Sequence, residues 1–527
     1  MSIADFLDDL PGCIHPRIDK TSPVWNVHAT LLPDKSVCPG CGSSKKRSSG
    51  HSEPGSFWDA PVRGYRIRIT VTRRRYLCLD CGRKYYAPVP FVQVAHRVTL
   101  RGIDYILHRV GTRRWTVLEV AAEVGPSEKT IRTIFVEYAQ KLEASCCDVD
   151  TQRFEILEYE DADGIHCSVA DKMNGDVHKL SFAKKNAKVM KIFLASLGKV
   201  APRRLAIDEF YFGRCYVCVL YDLENGQVFD MIFDRDNESA MAIYFSALRG
   251  RELVEIVTMD RSIFFRALVQ KYFAQATIIA DRWHVSNDIL YYFKKVRTSV
   301  QASLEGETKT DFFSDRYKFL KHGDSKNILC GEQARVEEWL RSEPELGEAY
   351  RAKQGLFAIW KIAKNSVHAF KLYEDWRKAL SKRQREQFGP LITSFNDWAD
   401  PIFAYFDHPY TNATAESLNR ISRDRIRKAR GCSFELLRAV MIYPLLLTRF
   451  MQREDGKSGP VLAQVPIAEL LLGVEIDAAR NRRSATKPNP GLFLVEKQER
   501  PADGSPAQGK VQKRGGRILP DAHPHAS

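Results

Sequence analysis

Three acidic residues, each beside the end of a predicted element, constrain this chain most. Asp208 closes the apolar run Leu205-Ala206-Ile207, and Asp260 closes the run from Leu253 to Met259. Glu416 opens a helical stretch, Ala415-Glu416-Ser417-Leu418-Asn419-Arg420. Carboxylates at strand ends are held rigidly and face a shared rim. Three of them can hold a pair of hard divalent cations, which prefer oxygen ligands. The chain carries 80 Lys and Arg against 65 Asp and Glu, a formal charge of +15. A polyanion is the natural partner of such a chain, with phosphate neutralisation as the source of affinity. Clustered acids in a basic protein point to metal-assisted phosphoryl transfer on nucleic acid.

A length of 527 residues predicts three or four domains rather than one core. Met1 to Leu10 contains three Asp and no Lys or Arg, the opposite of a secretory n-region. The apolar run at 440–447 is cut short by Thr448 and Arg449, too soon to cross a bilayer. The expected location is the cytoplasm, in association with the nucleoid, with no membrane partner. There the twelve cysteines stay reduced, so paired cysteines read as metal ligands before disulfides. Cys38-Pro-Gly-Cys41 and Cys78-Leu-Asp-Cys81 are two such pairs, each followed by Gly. Together they supply four thiolates, enough to close one structural zinc site. The alternative is two unrelated pairs, since 36 intervening residues exceed the common ribbon spacing. Between them Tyr65 to Thr72 alternates apolar and basic residues, as a strand does, and neighbouring arginines (Arg63, Arg66, Arg68, Arg73, Arg74, Arg75) suit DNA phosphates or a solvated face. Cys215 and Cys218 lie on a predicted strand. Residues three apart on a strand face opposite ways, which argues against a shared metal.

Val117 to Val124 has helical spacing, Gly125-Pro126 breaks it, and Ser127 can cap a following helix. Helix, short Gly turn and helix is the helix-turn-helix pattern, with a plain helical hairpin as the alternative. In the first reading Ser127, Lys129, Thr130 and Arg132 face the major groove or its phosphates. Val120, Ala121, Val124, Ile131 and Ile134 then make the small core, and Arg113-Arg114 upstream favours DNA. From about residue 203 the predicted order becomes strand, strand, strand, helix, strand, helix, strand. That order resembles the front of a ribonuclease H-like fold, in which the first and fourth strands lie side by side. A helical region at 284–410 follows, with Trp339, Trp360, Trp376 and Trp398 read as helix core. Asp208 and Asp260 are 52 residues apart, and Asp260 and Glu416 are 156 apart. The helical region therefore reads as an insertion before the last catalytic helix.

Bland alternatives exist for each acid. Asp208 can be a turn cap, with Glu209 as the ligand instead. Asp260 can be a helix N-cap, and Glu416 a first-turn acid complementing the helix dipole. Asp281, also at a strand end, competes with Asp260. Asp281 and His284 otherwise read as supporting residues. The helix after Glu416 carries Arg420, Arg423, Arg425, Arg427, Lys428 and Arg430, read as DNA-backbone contacts.

From the paired knuckles to about residue 450 the chain resembles the DDE transposases of bacterial insertion sequences, of the ISL-three family. The likeness rests on the knuckles, the helix-turn-helix, Ile207-Asp208-Glu209, Asp222-Leu223-Glu224 with Gly226, Asp281-Arg282-Trp283-His284-Val285 and the block from Asn412 to Asn419. Family members usually carry Phe where this chain has Trp283. The resemblance implies a multidomain α/β protein: a zinc-ribbon-like module, a helix-turn-helix, and a ribonuclease H-like DDE domain with a long α-helical insertion. It implies Asp208, Asp260 and Glu416 as catalytic acids holding two Mg ions (or Mn in vitro), besides the one structural Zn. It implies cleavage and strand transfer of double-stranded DNA, at transposon ends and target, by at least a homodimer. A non-catalytic regulator or a nuclease without joining activity is the competing reading. The expected organisation is an arm (1–30), a zinc module (31–92), a helix-turn-helix (93–147), an extra segment without assigned role (148–200), the catalytic core (201–283 and 411–455) split by the insertion (284–410), and a C-terminal segment (456–527). Its last part, 480–527, has ten Lys or Arg against four Asp or Glu and reads as a disordered basic arm.

Overall fold

The structure, a computed structural model, describes residues 13–458 except 21–22, 33–36, 52–54, 94, 147–152, 162–163, 173–174, 176, 235, 321–329 and 429–430. The first arm residues, Arg430 and the basic tail lie outside the described residues. Nine strands come first: β1 (Cys13–Asp19), β2 (Val24–Leu31), β3 (Lys46–His51), β4 (Gly55–Val62), β5 (Tyr65–Thr72), β6 (Arg74–Cys78), β7 (Lys84–Tyr86), β8 (Val92–Gln93) and β9 (Val98–Thr99). They form a six-stranded sheet, β1-β2-β5-β4-β9-β8, and a three-stranded sheet, β3-β6-β7. The period of two is visible in the burial. Trp25, Val27, Ala29 and Leu31 of β2 and Ile67, Ile69 and Val71 of β5 point inward. The basic positions of β5 are exposed but already make contacts within the protein. Arg68 stacks on the Trp58 ring at 4.3 Å, and Arg66 donates to the Ala122 carbonyl at 2.7 Å.

Three helices follow, α1 (Leu100–Gly111), α2 (Val117–Val124) and α3 (Glu128–Cys146). Thr116 and Glu119 close a capping box at the start of α2. Ser127 Oγ accepts the Thr130 N–H at 3.2 Å at the start of α3. Between them Gly125 has φ +118°, and a Cβ there would lie 2.4 Å from the Trp58 ring. Both the backbone and the close approach of Trp58 demand glycine. The predicted core residues Val120, Val124, Ile131 and Ile134 are fully buried, and Ala121 packs at their edge. Arg113 does not project toward solvent. Its guanidinium donates to Gln227 and to the Met441 carbonyl.

The extra segment contains a meander, β10 (Phe154–Glu160), β11 (Ile165–Asp171) and β12 (Val177–Phe182), and helix α4 (Ala187–Ser196). Phe154, Val169, Leu180 and Phe182 press on Met190 and Phe193, and so join the main core. The central sheet comes next, with β13 (Arg204–Phe212), β14 (Cys215–Asp222), β15 (Gln227–Ile232), α5 (Glu238–Ala247), β16 (Ile256–Met259), α6 (Ile263–Tyr272) and β17 (Thr277–Ala280). Its order is β15-β14-β13-β16-β17. The first three strands are antiparallel and the last pairings are parallel, so the first and fourth strands are neighbours, as expected. Two expectations need correction. Asp208 lies inside β13, because the hairpin with β14 continues to Phe212; it closes only the part paired with β16. The strand leading to Asp260 begins at Ile256, since Arg251–Leu253 forms a 3-10 turn.

The helical region consists of α7 (Arg282–Ser303), α8 (Gly306–Ser314), α9 (Cys330–Ser342), α10 (Pro344–Ile362), α11 (Ser366–Ala379), α12 (Lys382–Asp397) and α13 (Ala399–Phe403). Its tryptophans pack inward as expected. The indole of Trp376 donates to the Ala352 carbonyl and that of Trp339 to Asp315, each at 2.9 Å. Helices α14 (Ala413–Lys428) and α15 (Phe434–Ser458) complete the described chain. Leu205 and Ile207 of β13 face the core that includes α5, α6 and the helical region. Ala206 and Phe210 face the opposite core, which joins α1–α3 to α14 and α15.

That second core contains a buried charge cluster. Arg438 of α15 pairs with Glu143 of α3 (2.6 Å) and Asp230 of β15 (2.7 Å), and Lys199 pairs with the same two carboxylates (2.5 and 2.7 Å). Tyr244 donates to Asp230 at 2.7 Å. Burial opposes ionisation of Glu143, but the two cations outweigh it and hold its carboxyl down to about 2. Removing one member leaves an uncompensated buried charge. Arg438→Met is therefore expected to lower unfolding free energy by about 3–5 kcal/mol in urea denaturation. Arg427→Ala, on an exposed side chain, should stay within about 0.5 kcal/mol of the parent.

Candidate active site

Three acids sit in a row at one edge of the central sheet. Ile207 pairs with Met259, and Met259 with Ala280, across three parallel strands. The next residue on each strand is Asp208, Asp260 or Asp281. Adjacent strands are about 4.8 Å apart, so this register alone gathers the three carboxylates. His284, in the first turn of α7, reaches back between two of them. Its Nδ1 lies 2.7 Å from Asp260 Oδ1 and 3.0 Å from Asp281 Oδ2. Ligand atoms of Asp260, Asp281 and His284 all lie within 4.8 Å of one another.

Asp208 shares a face with Ala206 and Phe210, and so meets α14. Asn419 donates from Nδ2 to Asp208 Oδ2 at 2.7 Å and accepts from the Tyr221 hydroxyl at 2.6 Å. Asn419 is three residues beyond Glu416, on the same helical face. Glu416 thus stands one turn from the point where α14 touches Asp208. It is exposed, and Asp208, Asp260 and Glu416 do not themselves form a group as close as the Asp260 cluster. The start of α14 is anchored separately. The Asn412 N–H donates to Asp281 Oδ1 at 3.4 Å, its side-chain oxygen accepts from Thr258, and its carbonyl accepts the Glu416 N–H at 2.8 Å.

The electrostatics are those of crowded carboxylates. Burial first, and then the charge of Asp260, push the Asp208 carboxyl up to about 7. Burial would lower His284, but Asp260 and Asp281 outweigh it and raise the imidazole to about 10. Asp260 Oδ1 is buried without an aligned hydrogen bond. Carboxylate oxygens so arranged, with an imidazole, fit a divalent cation.

A second ligand cluster lies in the N-terminal sheets. Cys38 Sγ is 3.6 Å from Cys81 Sγ, Cys41 Sγ is 3.6 Å from Cys78 Sγ, and all four lie within 4.8 Å. Gly42 and Gly82, at φ +75° and +68°, let each knuckle turn its backbone N–H groups toward the sulfurs. Those N–H groups bring Cys38 down to about 7 and lower Cys78. The Ser43 N–H acts the same way on Cys41, but the neighbouring sulfurs of Cys81 and Cys78 outweigh it and push Cys41 up to about 12; zinc takes all four as thiolates. The long spacing between knuckles is filled by β3 to β6, which bring Cys78 back beside Cys38.

The candidate DNA residues fall into two groups. Ser127 and Lys129 are exposed at the start of α3; Thr130 hydrogen-bonds Ser127, and Arg132 pairs with Glu128 on its own helix at 2.7 Å. Arg420, Arg423 and Arg427 are exposed on α14. Arg425 is instead turned inward, donating to the Val110 and Trp115 carbonyls. Sequence reasoning had not singled out Asn412, Asn419, Thr258 or Tyr221. The available signal was the polar Asn419 at helical spacing from Glu416.

Comparison with known proteins adds two findings. The transposase family model of the ISL-three DDE group matches residues 205–441. The transposase for insertion sequence element IS1001 of Bordetella parapertussis is 22% identical over 411 residues, covering 75% of this chain and 85% of the relative.

Two outcomes follow from this geometry. Purified protein should carry one zinc per chain by elemental analysis, and Cys78→Ser should lose it and destabilise the N-terminal sheets. A carboxyl whose folded pKa is raised favours the protonated folded state, so Asp208 removes stability as pH climbs from 3.8 toward 7. In magnesium-free buffer Asp208→Asn should be more stable than the parent at pH 8, by at most about 4 kcal/mol. The difference should shrink toward pH 4 in paired denaturation curves.

Proposed function

Because residues 205–441 belong to the ISL-three family of DDE transposases, we propose that the protein is an insertion-sequence transposase. It binds the terminal inverted repeats of its element, cleaves a DNA strand there and joins it to target DNA. The observation that carries this reading is the sheet register that lines up Asp208, Asp260 and Asp281, with helix α14 docked on Asp208 one turn from Glu416.

Asp208, Asp260 and Glu416 would hold the metal pair, with Asp281 and His284 orienting Asp260. Two divalent cations, when bound, activate the attacking oxygen and stabilise the leaving oxygen of an in-line displacement. Asn419 holds Asp208 Oδ2, and the Glu209 N–H donates to Oδ1 at 2.7 Å, so the carboxylate is fixed from both sides. Asn412 and Thr258 fix the start of α14, and with it the height of Glu416 over the strand ends. No covalent enzyme intermediate is required, so the same carboxylates can serve cleavage by water and joining by a DNA 3′-hydroxyl.

End recognition is assigned to the N-terminal part. The zinc module at 31–92 and the helix-turn-helix at 93–147 would present Ser127, Lys129, Thr130 and Arg132 to DNA. Arg420, Arg423 and Arg427 would grip the backbone near the acids, and two copies would pair two ends. The relative's name supports this reading, since it is the transposase of an insertion sequence.

The test uses DNA carrying the element's own ends, with magnesium. Intact protein should nick the ends and join them. Asp208→Asn and Glu416→Gln should each lower cleavage by about 10³-fold or more, several kcal/mol of transition-state stabilisation, while end binding persists. End binding without cleavage by the intact protein, in magnesium or manganese, would replace this reading with a non-catalytic regulator.

A further inference from the structure

Helix α7 runs outward from the acid cluster with exposed aromatics on its surface. Trp283, between Asp281 and His284, is 53% exposed, and Tyr291 is 52% exposed. Other aromatics are as open, Tyr211 and Tyr317 among them, but these two lie on the helix that carries His284. Trp283, Asn287, Tyr291 and Lys295 recur every four residues and so form one ridge along the helix. The two rings are about 12 Å apart along the axis. Lys295 Nζ lies 4.8 Å from the Tyr291 ring centre, and Arg282, next to Trp283 in the chain, donates to the Tyr405 hydroxyl at 3.3 Å. The His284 ring meets Trp283 edge-on at 4.7 Å, which steadies the indole without covering both of its faces.

We infer that this ridge is a binding track for an unpaired stretch of DNA strand, with Trp283 stacking on a base next to the reacting phosphate and Tyr291 on a base further along. Open aromatic faces interleaved with basic groups are what single strands recognise, since only a base outside the duplex offers a free π-face. The polar Asn287 and the cation of Lys295 beside Tyr291 favour this ligand over an apolar protein surface. Duplex DNA would meet the same cations but could not use the rings. The inference rests on the proposed placing of a DNA strand at the acid cluster.

The experiment uses the full chain without added magnesium. It measures binding of a fluorescent oligothymidylate and of a duplex of equal length, so no cleavage is read. Trp283→Ala and Tyr291→Ala should each weaken single-strand binding about tenfold, with duplex binding little changed. Trp283→Phe should recover most of the loss. Both residues are exposed, and circular dichroism checks that the variants are folded. Unchanged single-strand affinity in either alanine variant, or an equal loss on duplex, overturns the track. Failure of the transposase reading would look different: the intact protein would bind single strands normally but leave its element's ends uncut.

Discussion

The candidate site depends on one register. Parallel pairing of β13, β16 and β17 aligns Ile207, Met259 and Ala280, and the backbone then delivers an acid from each strand to the same edge. A slip of one residue would turn each acid to the other face of the sheet. The register is secured by burial on both faces, with Leu205 and Ile207 in one core and Ala206 and Phe210 in the other. Burial, and then the nearby charge of Asp260, raise the Asp208 carboxyl, and His284 lies between Asp260 and Asp281. The sheet thus holds together a group of charges that would separate in a flexible chain.

The buried cluster of Glu143, Lys199, Asp230 and Arg438 binds three parts of the chain into one body. Glu143 belongs to the helix that follows the Gly125 turn, Asp230 to the central sheet, and Arg438 to the last described helix. Arg113 and Arg425 add links of the same kind, each ending on backbone carbonyls across the junction. Arginine suits this role because its fork donates to several acceptors and stays charged when buried. In the proposed function, the surface that selects DNA ends and the carboxylates that act on them would move as one unit.

Much of the secondary structure was legible from local pattern. The alternation of Tyr65 to Thr72 became β5, the Gly125-Pro126 break separated α2 from α3, and the Asp222 to Gly226 turn joined β14 to β15. Strand lengths were less legible. β13 runs past Asp208 because hairpin pairing with β14 continues after β16 has ended, and pairing partners are not written in local sequence. Arginines were the least legible residues. Arg420 and Arg425 look alike in a sequence, yet one is exposed and the other is enclosed beside α1. Only the packing of distant helices decides which guanidinium finds carbonyl acceptors.

Composition, cysteine spacing and the position of the acids determined a basic chain with four thiolates to gather and carboxylates at element ends. Those properties are local, because they depend on residue type, turn chemistry and the periods of strand and helix. Tertiary structure alone decided that β3 to β6 return Cys78 to Cys38, and that Asn419 clasps Asp208 across 211 residues of chain. It also decided that Asp281 and His284 join Asp260 in one close group of ligand atoms. Such relations follow from which strands pair and which helix faces meet, and those choices are set by burial of the whole core rather than by any one segment.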